Sequence, residues 1–462
     1  MVAVIVFLTF LVSTGLTFII TPVANDLGMD ETSIEAALAV PSITSLLIIF
    51  VAGQLGDRIG YREAVVWLAG VFALGGLVLT VASGVLLLSL GLGLCGAAAT
   101  GIQVVGLGLL QKSVPDGRPH ISAFTTFGMV LPIALLLLPL FTALLLDAFG
   151  WRVVMLIWVV AGIIMVLLIL SLVKPIKVDQ KEKKQGWLAP ILTGIAFAGA
   201  ARLFIEVGNS TATSARALLG TGIALVAGIL LVILHRRRQQ PGFIVRARRH
   251  PWLSALMFGV GMVSMVGTLT FVTLALKSLY GLDEFQAALA FVPPQIGGVL
   301  GAKVIADRMM HRFSMATSAR VLMFALAASF VPLLFFQASF SMWYLIGSAT
   351  LFNTMVFATI TVLNTEVMAR GPAATPGQTS SFRGASSALG SAMAVVVLGS
   401  SVLAAIKIST PTGEMSPAQL DQLAQGLRLD GLLAIVATLL AGGLLLIVGK
   451  HAKLGSSVIA RP

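Results

Sequence analysis

The sequence predicts an all-α membrane protein with about 14 transmembrane helices, arranged as two six-helix halves with two helices between them. The chain of 462 residues is 58% hydrophobic and 10% charged, with a mean hydropathy of +1.01. A soluble domain carries about a quarter charged residues. Long apolar runs recur along the whole chain, and one polar pattern containing Asp-Arg occurs early in each half.

Each apolar run can be assigned to a helix, because about 20 residues cross the hydrocarbon core. Six runs precede a basic segment at 174–184, two follow it, and six follow Pro251. We therefore expect an N-terminal half at 1–174, two intervening helices with basic loops at 175–250, and a C-terminal half at 251–462. The predicted spans lie near 2–24, 34–54, 64–83, 85–111, 121–146, 152–174, 187–208, 214–234, 252–276, 285–306, 318–337, 341–366, 379–404 and 429–449.

The basic residues predict the orientation of these spans. Most of the 30 Lys and Arg residues fall in the loops on the side of Asp57, and few fall in the alternate loops. This bias marks the cytoplasmic side of a cell (inner or plasma) membrane. An even number of spans then places both termini in the cytoplasm and the loop 407–428 outside. The net charge of +12 comes from basic loop residues that face the anionic lipid of the bilayer, and it does not indicate nucleic-acid binding.

Enzymatic and metal-binding functions are not expected. No loop is long enough to form a folded extramembrane site, and the five His residues and Cys95 do not occur at ligand spacing. We therefore predict no metal and no cofactor. The pattern Gly91-x-Gly93-x-x-Gly96 matches a dinucleotide motif, but it lies inside an apolar run and favours close helix packing.

A polar pattern separates the second and third predicted spans and recurs between the tenth and eleventh. The second copy keeps the Asp-Arg-x-x-x-Arg spacing, but Met310 stands where the first copy has a glycine. Gly-Met-Asp-Glu at 28–31 precedes the first copy and Gly-Leu-Asp-Glu at 281–284 precedes the second, and these occurrences are about 250 residues apart, which indicates parallel repeats. The residues of the two copies are Gly53, Gly56, Asp57, Arg58, Gly60 and Arg62, and Asp307, Arg308 and Arg312.

The first copy resembles the loop between the second and third helices of major facilitator superfamily transporters. The resemblance implies that the two copies act as gating loops, which hold the halves together at the cytoplasmic face in one state of the cycle. The layout of six, two and six spans resembles the fourteen-helix drug–proton antiporter branch. The sequence departs from that branch where charged coupling residues are usual, since Ser13 and Leu92 occupy two such positions and Leu131-Pro132-Ile133 replaces the antiporter signature.

The resemblance implies that the cavity is lined by the first, fourth, ninth and twelfth spans, with other spans at its flanks. Uncharged polar residues within these spans are the candidates for substrate contact. The alternative is that they bond to their own backbone or ease helix packing. The candidates are Thr14, Thr17, Gln103, Thr268, Gln295 and Asn353.

Three charged residues within spans have two interpretations each. Arg383 would repel cations and favour an anionic substrate, or it would extend to the cytoplasmic interface. Arg202 and Glu206 are four residues apart on one helix face and form a structural pair or a proton-coupling site.

These features predict a secondary active transporter that exports an amphipathic or largely apolar small molecule, drug-like or lipid-like, by alternating access. Such transport is driven by coupling to protons or proceeds without it, and the sequence leaves both alternatives. The alternatives are a facilitated or uptake carrier without proton coupling, and a transporter-derived membrane scaffold or sensor that moves no substrate.

Overall fold

The protein is helical throughout the part of the chain that its computed structural model describes. Nine helices in this part are long and apolar enough to cross a membrane, and no strand occurs in it. The all-helical class is confirmed, whereas the number of fourteen spans stays a prediction. The described residues are 1–115, 117–174, 187–208, 215–238, 259–261, 268–269, 272–273, 275–277, 279–282, 284–371, 375–397 and 417–451.

The first part of the chain folds into seven helices that cover the first six predicted spans. Turns of a few residues join them, so that neighbouring helices run antiparallel. The fifth predicted span is divided at Met129 into two helices. The helices are α1 (Val2–Leu27), α2 (Glu31–Ile59), α3 (Tyr61–Thr80), α4 (Val85–Ser113), α5 (Arg118–Gly128), α6 (Val130–Phe149) and α7 (Trp151–Leu172), followed by the intervening helices α8 (Leu188–Gly208) and α9 (Ala215–Arg238).

From residue 284 onward, the described part of the chain contains eight helices and one π-helical turn. The tenth predicted span comprises α10 (Glu284–Ala290), α11 (Val292–Leu300), the π turn Gly301–Ile305 and α12 (Ala306–Arg312). The described residues of the ninth span, between 259 and 280, are also helical. The remaining helices are α13 (Met315–Ser329), α14 (Val331–Leu334), α15 (Met342–Arg370), α16 (Pro376–Val397) and α17 (Pro417–His451).

Two buried apolar clusters organise the packing. The first is formed by α1–α4, α6 and α7 and contains Trp158, while the second joins the ninth span to helices from α12 onward and contains Phe352. In the first cluster, a Cβ atom on Gly96 would lie 2.9 Å from the carbonyl oxygen of Pro41, so α4 and α2 are in backbone contact. The interpretation of Gly91-x-Gly93-x-x-Gly96 as helix packing is therefore confirmed.

The intervening helices form an antiparallel pair beside α2 and α16. A Cβ atom on Gly194 of α8 would lie 2.5 Å from the carbonyl oxygen of Leu47 in α2. The Phe197 ring is 5.1 Å from the Phe50 ring, centroid to centroid. Helix α8 also contacts α16, so it lies over the seam where α2 meets α16. The domain boundaries at 174 and 251 stay predictions, and residues 175–186 and 251 lie outside the described part.

The structure corrects two predicted boundaries. Only Gly60, with φ of +104°, separates α2 from α3, so the polar pattern around Asp57 is helical rather than an extended loop. Helix α17 begins at Pro417, inside the segment predicted as an outer loop. In both places polar residues continue a helix because neighbouring helices cover one side of it, which a search for apolar runs does not detect.

Candidate functional site

The carboxylate of Asp57 binds the first turn of α16, a helix from the other half of the chain. Its Oδ1 accepts a hydrogen bond from the Gly377 N–H and its Oδ2 accepts one from the Gln378 N–H, each at 3.0 Å. Tyr61 donates its hydroxyl to Asp57 and accepts from the Gly377 N–H at 2.9 Å. Asp57 is 1% exposed. Free N–H groups and the helix dipole make a helix N-terminus a favourable site for an anion.

Helices α2 and α16 are in close backbone contact beside this carboxylate. A Cβ atom on Gly53 would lie 2.0 Å from Ser381 Oγ and 2.3 Å from the Gly377 carbonyl oxygen. The Ser381 hydroxyl donates to the carbonyl oxygen of Ile49 at 2.8 Å. Because Gly53 has no side chain, α2 and α16 approach closely enough for Asp57 to reach the N–H groups.

The cations of the first polar pattern contact their own half and α8. The Arg58 guanidinium lies over the Trp187 ring, 4.5 Å from its centroid, and Arg62 Nη2 donates to the carbonyl oxygen of Leu170 at 3.2 Å. Gly56 faces the Tyr61 ring, 3.1 Å from the position of a Cβ atom. These contacts orient the end of α2, from which Asp57 reaches α16.

The second polar pattern also contacts the opposite half. Asp307 Oδ1 accepts a hydrogen bond from the Thr125 hydroxyl of α5 at 3.2 Å, and His311 Nδ1 lies 3.5 Å from Asp307 Oδ2. Met310, which replaces the glycine of the first copy, is buried. Arg308 and Arg312 are exposed. The second copy therefore pairs a partly exposed carboxylate with side chains, of which only Thr125 belongs to the opposite half, whereas the first copy pairs a buried carboxylate with a helix N-terminus.

The π turn places Lys303 beside the same helix α5. Its Nζ donates to the hydroxyls of Thr126, Thr125 and Ser122 at 3.1, 3.3 and 3.4 Å. A Cβ atom on Gly301 would lie 2.0 Å from the carbonyl oxygen of Thr354, so the turn is pressed against α15. The face of the molecule at which Asp57 and Asp307 lie, here called the Asp57 face, is thus closed by contacts at both seams.

The candidate cavity residues divide into two groups. Gln103 donates from Nε2 to the Thr9 hydroxyl at 3.0 Å, inside the first cluster. Asn353 donates from Nδ2 to the carbonyl oxygen of Pro294 at 2.7 Å, which brings it beside Gln295. Gln295 Oε1 and Asn353 Oδ1 are shielded from solvent and have no hydrogen-bond partner among the described residues. These two acceptors form the polar part of the candidate site in the C-terminal half.

Arg383 lies two turns into α16. It is half-buried, and its Nε is shielded from solvent. The next residue, Gly384, faces Val104 and Ile49 of the N-terminal half. Arg383 is thus placed near the contact between the halves. The side chains of Thr14, Thr17, Arg202 and Glu206 lie outside the described part of the chain.

Three buried polar residues were missed by sequence reasoning or placed differently. Tyr61 could have been found from its position one turn after Asp57. Glu366, at the end of the twelfth predicted span, is 4% exposed and pairs with Arg370 at 2.8 Å. Asp430, near the start of the span predicted at 429–449, is 0% exposed within α17. Within the described ranges, no group of His, Cys, Asp or Glu could hold a metal ion.

Comparison with curated proteins finds relatives along most of the chain. The multidrug resistance protein Stp of Mycobacterium tuberculosis is 24% identical over 410 residues, which cover 86% of this chain and 74% of that protein. The multidrug efflux pump LfrA of Mycolicibacterium smegmatis is 22% identical over 433 residues, covering 92% and 84% respectively.

Solved structures share the fold at low identity. The human organic anion transporter MFSD10 superposes with a TM-score of 0.65 at 14% identity, covering 96% of this chain and 97% of that chain. The proton:xylose symporter XylE superposes with a TM-score of 0.63 at 11% identity, covering 95% and 93%. A sequence profile of the Major Facilitator Superfamily matches residues 2–395. This apolar, multi-pass chain therefore belongs to the Major Facilitator Superfamily, a family of membrane transporters rather than enzymes, as its paired Asp-Arg patterns predicted.

Proposed function

We propose that the protein is a secondary active transporter that exports an amphipathic, largely apolar small molecule by alternating access. The observation that carries the proposal is the binding of Asp57 to the N-terminus of α16, which joins the two halves at the Asp57 face. The positive-inside bias assigns this face to the cytoplasm. In this conformation the cytoplasmic end of the path between the halves is closed.

The closing contact has the properties expected of a reversible gate. It combines a few hydrogen bonds and a glycine-lined helix contact with a small apolar cluster in which Leu107 and Phe124 meet Met368 of the other half. Breaking it exposes a carboxylate and backbone N–H groups that water can solvate. The halves can then separate at the cytoplasmic face while the opposite ends approach each other.

The interior supports a substrate with few charges. Gln295 and Asn353 offer two shielded acceptors, and Gln103 is bonded to Thr9. Arg383 adds a positive charge near the contact between the halves, which disfavours cations and suits neutral or anionic amphiphiles. The names of the relatives, the multidrug resistance protein Stp and the multidrug efflux pump LfrA, favour export over uptake. We further propose the substrate and the lipid bilayer as partners, with a proton as the coupling ion if a pH gradient drives transport, and both termini in the cytoplasm of a cell (inner or plasma) membrane.

Transport by the purified protein in liposomes tests the proposal. Three dyes of different charge would be compared, namely ethidium, Nile red and fluorescein, each with and without a pH gradient. We expect gradient-dependent movement of the neutral or the anionic dye. Equal movement with and without a gradient would favour a facilitated carrier, and the absence of both movement and dye binding would favour a scaffold or sensor.

A further inference from the structure

Helix α17 carries a carboxylate in the interior of the C-terminal half. Asp430 is the fourteenth residue of Pro417–His451 and is 0% exposed. Both carboxylate oxygens are shielded from solvent and lack a hydrogen-bond partner among the described residues. The Thr268 hydroxyl of the ninth span lies beside the carboxylate without completing a well-formed hydrogen bond, and Thr268 is also 0% exposed.

The surroundings of Asp430 are apolar. The neighbouring buried residues Leu427 and Ala434 belong to the second apolar cluster, together with Phe330 and Leu333 from the helices packed against α17. A Cβ atom on the adjacent Gly431 would lie 3.0 Å from Leu333 Cβ. An ionised carboxylate without a partner costs several kcal/mol or more in such a place, so the acid holds its proton instead.

The charged groups on the elements around Asp430 leave this conclusion unchanged. Arg428 donates from Nε to the carbonyl oxygen of Phe336 at 2.6 Å, and Asp421 is exposed nine residues earlier on α17. Helices α13 and α14 carry Arg320, which lies near the Met315 end of α13. Lys277 follows Thr268 by nine residues on the ninth span, about 14 Å along a helix.

We propose that Asp430 and Thr268 form a proton-binding site, in which Asp430 is a neutral acid in this conformation and the Thr268 hydroxyl lies beside it. Proton release is a simple transfer to water: the O–H bond of the carboxylic acid breaks, and the carboxylate and a hydronium ion form. Release requires water to reach Asp430, and therefore a movement of the ninth span or α17. The coupling of this site to substrate movement rests on the proposed transport function.

The ninth span connects this site to the gate. A Cβ atom on Gly390 of α16 would lie 2.2 Å from the carbonyl oxygen of Gly259 in the ninth span. The N-terminus of α16 is the partner of Asp57. Because Gly259 of the ninth span is in backbone contact with α16, a movement of α16 after the contact with Asp57 breaks also displaces the ninth span at Gly259. The same movement can open Asp430 to water, so gate opening and proton release occur together.

Infrared spectroscopy of the full-length protein in lipid tests the proton site without any substrate. A protonated carboxylic acid has a carbonyl stretch that shifts in deuterated water. We expect such a band in the wild type and its loss in Asp430→Asn, whereas Asp421→Asn, an exposed change on the same helix, should retain it. Equal bands in wild type and Asp430→Asn would overturn the proposal, and other buried acids cancel in this difference.

A second variant covers the case in which Asp430→Asn fails to fold. Thr268→Val keeps the shape of the side chain and removes the hydroxyl. We expect the wild-type band to persist in this variant, with a changed stretching frequency and a changed pH of disappearance. An unchanged frequency and pH in Thr268→Val would show that the two groups do not interact, and would refute the site.

Dye transport in liposomes tests the coupling separately. Asp430→Asn mimics the neutral acid, so dye exchange without a gradient should stay within about twofold of wild type while gradient-driven accumulation is lost. Asp421→Asn should retain both. Gradient-driven accumulation in Asp430→Asn at the wild-type level would overturn the coupling role. If the wild type moves no dye, the proposed transport function fails, and the infrared result still decides the proton site.

Discussion

Replacing Asp57 by Asn should weaken the closed state of the Asp57 face. In the wild type, Oδ1 and Oδ2 each accept a backbone N–H at 3.0 Å. Asn keeps one of these acceptor oxygens, but its NH₂ group presents a donor to the other backbone N–H. A hydrogen bond to a charged group contributes about 1.5–3 kcal/mol, and a charge at a helix N-terminus adds about 0.3–1 kcal/mol. The loss of one such bond and the charge is about 2–4 kcal/mol, which shifts the ratio of closed to open molecules by about 30- to 1,000-fold.

The shift can be measured as a distance. Nitroxide labels at Ile59→Cys and Phe313→Cys, in a Cys95→Ser background, would report the separation of the halves by pulsed electron resonance. Both label positions are exposed, at 39% and 50%. Asp57→Asn should lengthen and broaden the distance distribution, and should lower the rate of dye transport to below about half of wild type.

Asp307→Asn is the matched comparison. Its carboxylate is 30% exposed and accepts from one hydroxyl at 3.2 Å, so the loss should be smaller than for Asp57. Wild-type transport and an unchanged distance distribution in Asp57→Asn would refute the gating role of Asp57. If Asp307→Asn changes the label distance and dye transport more than Asp57→Asn does, the second polar pattern contributes more to closing the Asp57 face than the first.

Three further changes test the contact, the charge and the topology. Gly53→Ala places a methyl group 2.0 Å from Ser381 Oγ and should destabilise the closed state of the Asp57 face by about 1–3 kcal/mol, which lengthens the distance between the labels. Gly70→Ala is the control, because its methyl group meets nothing within 4 Å, and it should leave the label distance unchanged. Arg383→Glu should increase ethidium transport and reduce fluorescein transport. A charge about 8 Å from the substrate contributes about 2 kcal/mol at a dielectric constant near 20, which changes the affinity for each dye by up to about thirtyfold. Unchanged transport of both dyes would assign Arg383 to the cytoplasmic interface of the membrane. A cysteine at Ala148 should react with an impermeant maleimide on intact cells and one at Ser113 should not, since both positions are exposed at the C-terminal ends of helices that are predicted to cross the membrane in opposite directions; the reverse result would invert the topology.

Hydropathy located most of the described helices because a membrane requires long apolar segments. The spans predicted near 64–83 and 152–174 agree with α3 (Tyr61–Thr80) and α7 (Trp151–Leu172) within a few residues. The repeated Asp-Arg pattern indicated the correct family and placed both aspartates at one face. These features depend on local composition and spacing, which a single sequence contains.

Features set by contacts between distant segments could not be predicted. The π turn Gly301–Ile305 arises where the tenth span packs against α15. The break at Met129 is favoured locally by Pro132, which has no N–H for the Gly128 carbonyl, but its position against Thr361 of α15 depends on a distant segment. The partner of Asp57 is 320 residues away in sequence. Asp430 lies near the start of the apolar run at 429–449, although helix α17 begins at Pro417 and other helices cover the carboxylate.

The pair α8 and α9 makes the two flanks of the protein unequal toward the lipid. Helix α8 approaches the backbone of α2 at Leu47 and also packs against α16, which belongs to the opposite half. An amphiphile that diffuses within one leaflet toward this seam meets α8 before it meets the path between the halves. Lateral entry from the bilayer is therefore obstructed on this flank. Under the proposed rocking movement, the close contact of Gly194 with the Leu47 carbonyl predicts that α8 moves with α2 and that its surface against α16 changes in each cycle.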